Sequence, residues 1–137
     1  MHPSDVNLWH IYKVPNCKLV RPKPKLKYVV TVGQNTTDTF WGFMINSQIR
    51  PFITSKPDLL ACEARILASQ HPVLRHDSYI DCTNLYSFPT RDFHSDEGVL
   101  SEDAMSVLMQ TVRDCPMLKR KQKRMILSNG GENLDGI

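Results

Sequence analysis

The sequence predicts a mainly β (α+β) domain that ends in one amphipathic α-helix. Segments 28–32 and 39–45 are dense in β-branched and aromatic residues, which favour strands. The helical spacing of apolar residues is clearest at 102–115. The chain has 137 residues, a length that suits a single domain with one hydrophobic core.

The N-terminal third is predicted to be extended. An apolar run at 9–14 is interpreted as an edge strand or as an arm that packs on the body. Pro22 and Pro24 exclude a helix and lead directly into strand 28–32. A polar turn is predicted at 33–38.

The middle of the chain gives weaker signals. A third strand is predicted at 48–54, with a proline marking an edge or a bend. Residues 57–69 are ambiguous, because a possible capping box favours a helix whereas apolar alternation favours a strand, which we prefer. A short strand is predicted at 78–82 and a polar loop at 88–98.

The predicted helix at 102–115 has clear start and stop signals. Ser101 is a good N-cap, and Glu102 and Asp103 place negative charge at the positive end of the helix dipole. Pro116 ends the helix. Its apolar stripe consists of Ala104, Val107, Leu108, Thr111, Val112 and Cys115. We expect this helix to lie across the sheet and close the core.

The net charge of +3 is unevenly distributed. Residues 1–27 have six basic side chains and one acid, residues 28–118 have six and eleven, and residues 119–137 have five and two. We therefore expect one domain over 1–118 with a basic N-terminal arm at 1–27, followed by a basic and then disordered tail at 119–137. Two basic segments favour a phosphate-backbone partner, although they could instead be solvated flanks that maintain solubility.

Several classes of protein are disfavoured. The sequence has no signal-peptide-like run and no transmembrane segment, so we expect a cytoplasmic protein without a membrane partner. The four cysteines are scattered without a CxxC pair, and we expect reduced, buried thiols rather than a zinc site. Nucleotide-binding glycine loops, HExxH and GxSxG are absent, so we predict chemistry that needs neither cofactor nor metal.

The densest polar cluster, at 75–82, lies where a loop enters the predicted strand 78–82 and includes Asp81. His76 is a candidate acid or base, Asp77 could orient it, and Arg75 could hold a phosphate with two hydrogen bonds. The alternative is that Asp77 and Ser78 stabilise a turn while His76 is merely exposed.

A second candidate cluster lies where two predicted strands meet. Asn46, Ser47 and Arg50 supply an amide, a hydroxyl and a guanidinium that could grip a ribose-phosphate unit, unless they form an ordinary polar turn. Lys25 and Lys27 stand directly before the first strong strand, where they could contact phosphate or belong to a solvated flank. Such residues suffice for RNA cleavage through the ribose 2′-hydroxyl, which requires a base, an acid and cations.

The order of segments resembles the PemK/MazF-like toxin family over roughly residues 20–118. The resemblance depends on KYVVTV after basic residues, on FWGFMINSQ, on VLRHDSYIDCTNLYSF and on GVLSEDAMSVLMQTV. It implies a small Src-homology-3-like β-barrel with a C-terminal amphipathic helix, usually a homodimer. It also implies a metal-independent endoribonuclease that cleaves single-stranded RNA and is restrained by an antitoxin.

The family's catalytic residues map onto this chain with departures. The resemblance places the catalytic Arg near Lys27 and the Thr or Ser on Ser47, while the acid of a later strand falls near Thr83. Lysine lacks the planar fork of arginine, and the missing carboxylate would have to be supplied by Asp81 or Asp77. The leading hypothesis is a toxin-type endoribonuclease. The alternative is a non-catalytic module on the same fold that binds nucleic acid or a partner protein, such as a phage or mobile-element regulator or inhibitor.

Overall fold

The computed structural model describes residues 1–137 as one antiparallel β-sheet with three α-helices. The strands are β1 (His10–Cys17), β2 (Lys25–Thr36), β3 (Thr39–Asn46), β4 (Glu63–Ile66), β5 (Ser78–Pro89) and β6 (Ser95–Val99). The helices are α1 (Pro57–Leu60), α2 (Glu102–Asp114) and α3 (Arg120–Asn129). Short 3₁₀ turns lie at Pro3–Asp5, Pro51–Ile53, Ala68–Gln70 and Thr90–Asp92.

The strand order in the sheet is β4-β5-β3-β2-β1-β6, and every neighbouring pair is antiparallel. The predicted mainly β class is confirmed. The sheet does not close into the predicted barrel, because β4 and β6 do not pair and remain its two edges. None of the helices has the length and apolar character needed to cross a membrane.

The sheet separates two apolar clusters because alternate side chains of each strand point to opposite faces. Val30 and Val32 of β2 join the larger cluster, which α2 and α3 cover. Val29 joins the smaller cluster, where Tyr12 of β1 stacks on Phe93 with ring centroids 4.9 Å apart. The central strands are therefore buried on both faces, which explains why their apolar runs are nearly continuous.

The predicted N-cap of α2 is confirmed. The Ser101 hydroxyl accepts a hydrogen bond from the Ala104 N–H at 3.0 Å, and the helix begins at Glu102. The buried ring of His71 accepts the Ser101 N–H through Nε2 at 3.1 Å, so a loop residue supports the same cap. Ala104, Leu108 and Val112 face the core as the apolar spacing predicts; Val107, also placed on the stripe, is exposed.

Three predictions for the middle of the chain need correction. The predicted strand 48–54 is wrong: β3 ends at Asn46, and Pro51, which cannot donate to a sheet, opens a 3₁₀ turn. The ambiguous 57–69 segment contains both α1 and β4, so each alternative describes a part of it. The predicted loop 88–98 contains the end of β5 and most of β6, whose exposed edge position explains its polar composition.

The predicted disordered tail is also replaced by structure. Residues 120–129 form α3, and its Ile126 and Leu127 are fully buried in the larger cluster. The guanidinium groups of Arg120 and Arg124 donate to the Ile137 carbonyl at 2.9 and 3.2 Å. The apolar triplet MIL at 125–127 is too short to show helical periodicity, and the basic residues around it make the segment resemble a solvated tail.

All four cysteines are buried as predicted, but two of them are not free thiols. Cys62, just before β4, forms a disulfide with Cys115, just after α2, across a separation of 53 residues. Cys17 and Cys82 are free, and burial raises the pKa of the Cys82 thiol well above its usual range. The pairing follows from α2 packing against β4, a long-range contact that spacing along the sequence does not reveal.

Candidate functional site

A polar cleft of about 310 Å³ lies where the β1–β2 connection meets the start of β2 and the end of β3. Strand register assembles it: Tyr28 pairs with Ile45, so Lys27 and Asn46 lie side by side, and Met44 pairs with Asp81. Its lining residues are Leu19, Val20, Arg21, Lys25, Lys27, Met44, Asn46, Arg50, Asp81 and Tyr86. We call this space the cationic cleft, because four of these side chains are basic and one is acidic.

Lys27 is the most enclosed of the four cations in the cationic cleft. It is half-buried, and its ammonium donates a hydrogen bond to the Asn46 side-chain oxygen. Burial, followed by the neighbouring Lys25, lowers the pKa of Lys27, while Asp81 acts in the opposite direction. Positive charge is therefore crowded and partly desolvated here, and a bound anion would relieve this repulsion.

Asp81 is the acid of the cationic cleft. One of its oxygens lies 3.5 Å from a guanidinium nitrogen of Arg50, and the other accepts the Thr83 N–H at 2.9 Å. The Asp81 side chain is 12% exposed, whereas that of Arg50 is 53% exposed. The carboxylate is thus fixed in place, while the guanidinium can reach a ligand in solvent.

A second carboxyl group, Glu63, lies beside Asp81. These two residues are direct partners across β4 and β5, so their side chains lie on the same face of the sheet. The Glu63 Oε2 atom is buried without a hydrogen-bond partner. Burial, followed by the charge of Asp81, raises the pKa of Glu63 to about 7, although Arg50 opposes the shift. Glu63 is therefore a carboxyl group that can hold a proton near neutral pH.

The structure brings together five of the predicted site residues and separates the others from them. Lys25, Lys27, Asn46, Arg50 and Asp81 all line the cationic cleft. The sequence had divided these residues among three clusters, and antiparallel pairing of β2, β3 and β5 unites them.

Ser47, Arg75 and His76 line a different cleft of about 200 Å³. Ser47 follows Asn46 directly, and the two residues line different clefts, as the alternation of side chains along an extended backbone allows. Asp77 is held by Arg65 at 2.8 Å and by the Ala68 N–H at 2.9 Å. Its carboxylate therefore stabilises the turn, which is the structural alternative to orienting His76.

Sequence reasoning missed two polar residues that line the cationic cleft, Arg21 and Tyr86, and also Glu63, which pairs with Asp81 beside it. The alternation that favoured a strand near 63–66 marked the correct element, but nothing in the sequence indicates that Glu63 pairs with Asp81. His10 contacts Asp96 at 2.9 Å across β1 and β6. Strands β1 and β6 lie at the opposite end of the sheet from β5, and neither His10 nor Asp96 lines the cationic cleft.

No three His, Cys, Asp or Glu side chains lie close enough together to bind one metal ion.

The chain, an antiparallel sheet with helices packed on it, has a MazF-like fold. Among solved structures, the chain is similar to the Mycobacterium tuberculosis toxin MazF-mt6, with a TM-score of 0.57 and 17% identity over 80% of this chain and 98% of that one. At this identity the similarity shows the fold alone. No protein-family model matches the sequence, and no curated protein matches it.

Proposed function

We propose that this protein is a toxin-type endoribonuclease that cleaves single-stranded RNA without a metal ion. The observation that supports this most directly is the cationic cleft with Asp81 at its wall and Glu63 paired with Asp81 beside it, on a MazF-like fold. Phosphate and proton-transfer chemistry would meet there within one site. The fold similarity to a toxin agrees with this function but does not by itself establish it.

In the proposed reaction, different residues of the cationic cleft bind the phosphate and transfer protons. Lys25 and Arg50 hold the scissile phosphate, and their charge stabilises the crowded transition state. Asp81 accepts the proton of the ribose 2′-hydroxyl as the 2′-oxygen attacks phosphorus. Lys27, whose pKa burial lowers, gives a proton to the departing 5′-oxygen. The phosphorus–5′-oxygen bond breaks, leaving a 2′,3′-cyclic phosphate and a 5′-hydroxyl.

The second cleft has a binding role in this proposal. Ser47, Arg75 and His76 do not line the cationic cleft with Asp81 and Lys27. We therefore assign them to contacts with an adjacent nucleotide rather than to proton transfer. Asp77 supports the turn that presents Arg75 and His76.

Cleavage of unstructured RNA in the presence of EDTA tests the proposal. Wild type should produce 2′,3′-cyclic phosphate ends, while Lys27→Ala and Asp81→Asn should each lose about 10²–10⁴-fold in rate, the usual contribution of a positioned acid or base. Lys121→Ala is the matched control, because Lys121 is an exposed lysine of α3 and does not line the cleft. Purified wild type that leaves all RNA intact with and without EDTA would contradict the proposal.

A binding module without activity is the second candidate, and one observation favours it. The residues at the family's catalytic Arg and Thr or Ser positions, Lys27 and Ser47, line separate clefts. In that case RNA would bind with an affinity that falls steeply as salt rises, and no cleavage would follow. Salt-insensitive binding to a protein would instead indicate an apolar interface.

We also propose a homodimer and a regulatory antitoxin-like protein partner. The support is the pair of open edges, β4 and β6, which present unpaired backbone groups to another strand. Light scattering of the purified chain at several concentrations tests the dimer. A monomer at all of them would contradict it.

A further inference from the structure

We infer that Phe52 is a stacking platform for one nucleobase of single-stranded RNA, next to the phosphate site of the cationic cleft. This inference rests on the proposed function and adds a base-binding subsite to it. Phe52 is 52% exposed, in a turn that directly follows Arg50, a residue of the cleft wall.

The turn holds in place the backbone that carries the Phe52 ring. Ile53 is 1% exposed and anchors the segment in the protein interior. The Ile53 N–H donates to the Arg50 carbonyl at 2.9 Å, and the Thr54 hydroxyl donates to the Pro51 carbonyl at 2.7 Å. An exposed aromatic ring on an anchored turn loses little conformational entropy when it binds a ligand.

Two cations lie over the Phe52 ring. The Arg50 guanidinium carbon lies 5.1 Å from the ring centroid, and the Lys56 ammonium lies 5.7 Å from it. Both distances are within cation–π range. Proteins commonly bind single-stranded nucleic acid through aromatic rings interleaved with basic side chains. The rings stack on the bases, and the cations contact the phosphate backbone.

Arg50 connects this subsite to the cationic cleft. Its guanidinium contacts the Phe52 ring and lies 3.5 Å from Asp81, so one side chain spans the base subsite and the reacting phosphate. A nucleotide with its phosphate between Lys25 and Arg50 would have its base next to Phe52. A base within a duplex is already stacked on both faces and cannot use the ring, so the subsite selects unpaired RNA.

Fluorescence of Phe52→Trp tests the inference with a probe that cannot be cleaved, a single-stranded 2′-O-methyl hexanucleotide. We expect saturable quenching by this oligonucleotide, and none by an abasic chain of the same length or by the same sequence in a duplex. Val99→Trp is the matched control, because Val99 is 61% exposed on β6, at the opposite edge of the sheet. Its fluorescence should not change.

Affinity gives a second measurement. Phe52→Leu keeps an apolar side chain but removes the ring, and we expect about five- to hundredfold weaker binding of the single-stranded oligonucleotide, the range measured for one stacked base. Unchanged affinity in this variant would overturn the base subsite, as would equal quenching by the abasic chain. A wild type that binds a protein partner through Phe52 but no oligonucleotide would overturn it as well.

The two proposals can fail separately. If the oligonucleotide binds and depends on Phe52 but unmodified RNA is not cleaved, the nuclease is wrong and the base subsite stands. If unmodified RNA is cleaved and Phe52→Leu binds and cleaves like wild type, the nuclease stands and the base subsite is wrong.

Discussion

Glu63→Gln is predicted to flatten the dependence of stability on pH. The pKa of Glu63 is about 7 in the folded chain against an ordinary 4.5, so between these values the folded state keeps a proton that the unfolded chain releases. Stability from this group is therefore complete below about pH 4.5 and is lost as pH rises through 7. Glutamine is neutral at every pH and has a similar shape, so the variant lacks this loss.

The size of the effect follows from the two pKa values. Their difference corresponds to about 3.4 kcal/mol at about 1.36 kcal/mol per pKa unit. Glu63 is only half-buried, and solvent screening reduces this figure to about 1–2 kcal/mol. Between pH 5 and 8, wild type should therefore lose about 1–2 kcal/mol more of its free energy of unfolding than Glu63→Gln does.

Urea unfolding followed by circular dichroism at pH 5, 6, 7 and 8 measures this difference. Charged groups away from Glu63, including the His10–Asp96 pair, are unchanged in the variant, and their contributions cancel in the comparison. Glu132→Gln is the control, because Glu132 is exposed and its side chain has no hydrogen bond or ion pair. Parallel curves for wild type and Glu63→Gln over this range would refute the assignment of a proton to Glu63.

Three further predictions concern stability. Ser101→Ala should lower the free energy of unfolding by about 1 kcal/mol, since it removes the α2 cap, whereas Ser106→Ala on the exposed face of the same helix should change it little; equal thermal shifts would count against the cap. Leu127→Ala should cost about 2–5 kcal/mol in a denaturant titration, and a near-zero cost would mean that α3 does not belong to the core. Reduction of the Cys62–Cys115 bond should lower the free energy of unfolding by about 2–4 kcal/mol, and an unchanged urea midpoint in dithiothreitol would contradict that contribution.

The elements that the sequence predicts correctly are those whose own residues show a clear secondary-structure preference and periodicity. β2, β3 and α2 combine strong residue preferences with the correct periodicity, and Ser101 marks the start of α2. β6 and α3 have no such signals. β6 is a polar edge strand, and α3 buries two adjacent apolar residues in a basic segment. Their positions are decided by tertiary packing, which local sequence patterns do not report.

The candidate site shows the same division. Lys27 lies near the start of β2 and Asn46 ends β3, so the register of this one hairpin places them together. Glu63 required knowledge that β4 pairs with β5 in one particular register. Ser47 was grouped with Asn46 because they are neighbours in sequence, yet the two residues line different clefts.

The disulfide has a consequence for motion at the sheet edge. β4 has four residues and lies at an edge, and such short elements open most readily in local fluctuations. Glu63 is its first residue, and the preceding Cys62 is covalently tied to Cys115 at the end of α2. Fraying of this strand is therefore restricted at the end that bears Glu63. Hydrogen exchange in β4 should accelerate towards Ile66 first, leaving the Glu63–Asp81 pair assembled while the rest of the edge opens.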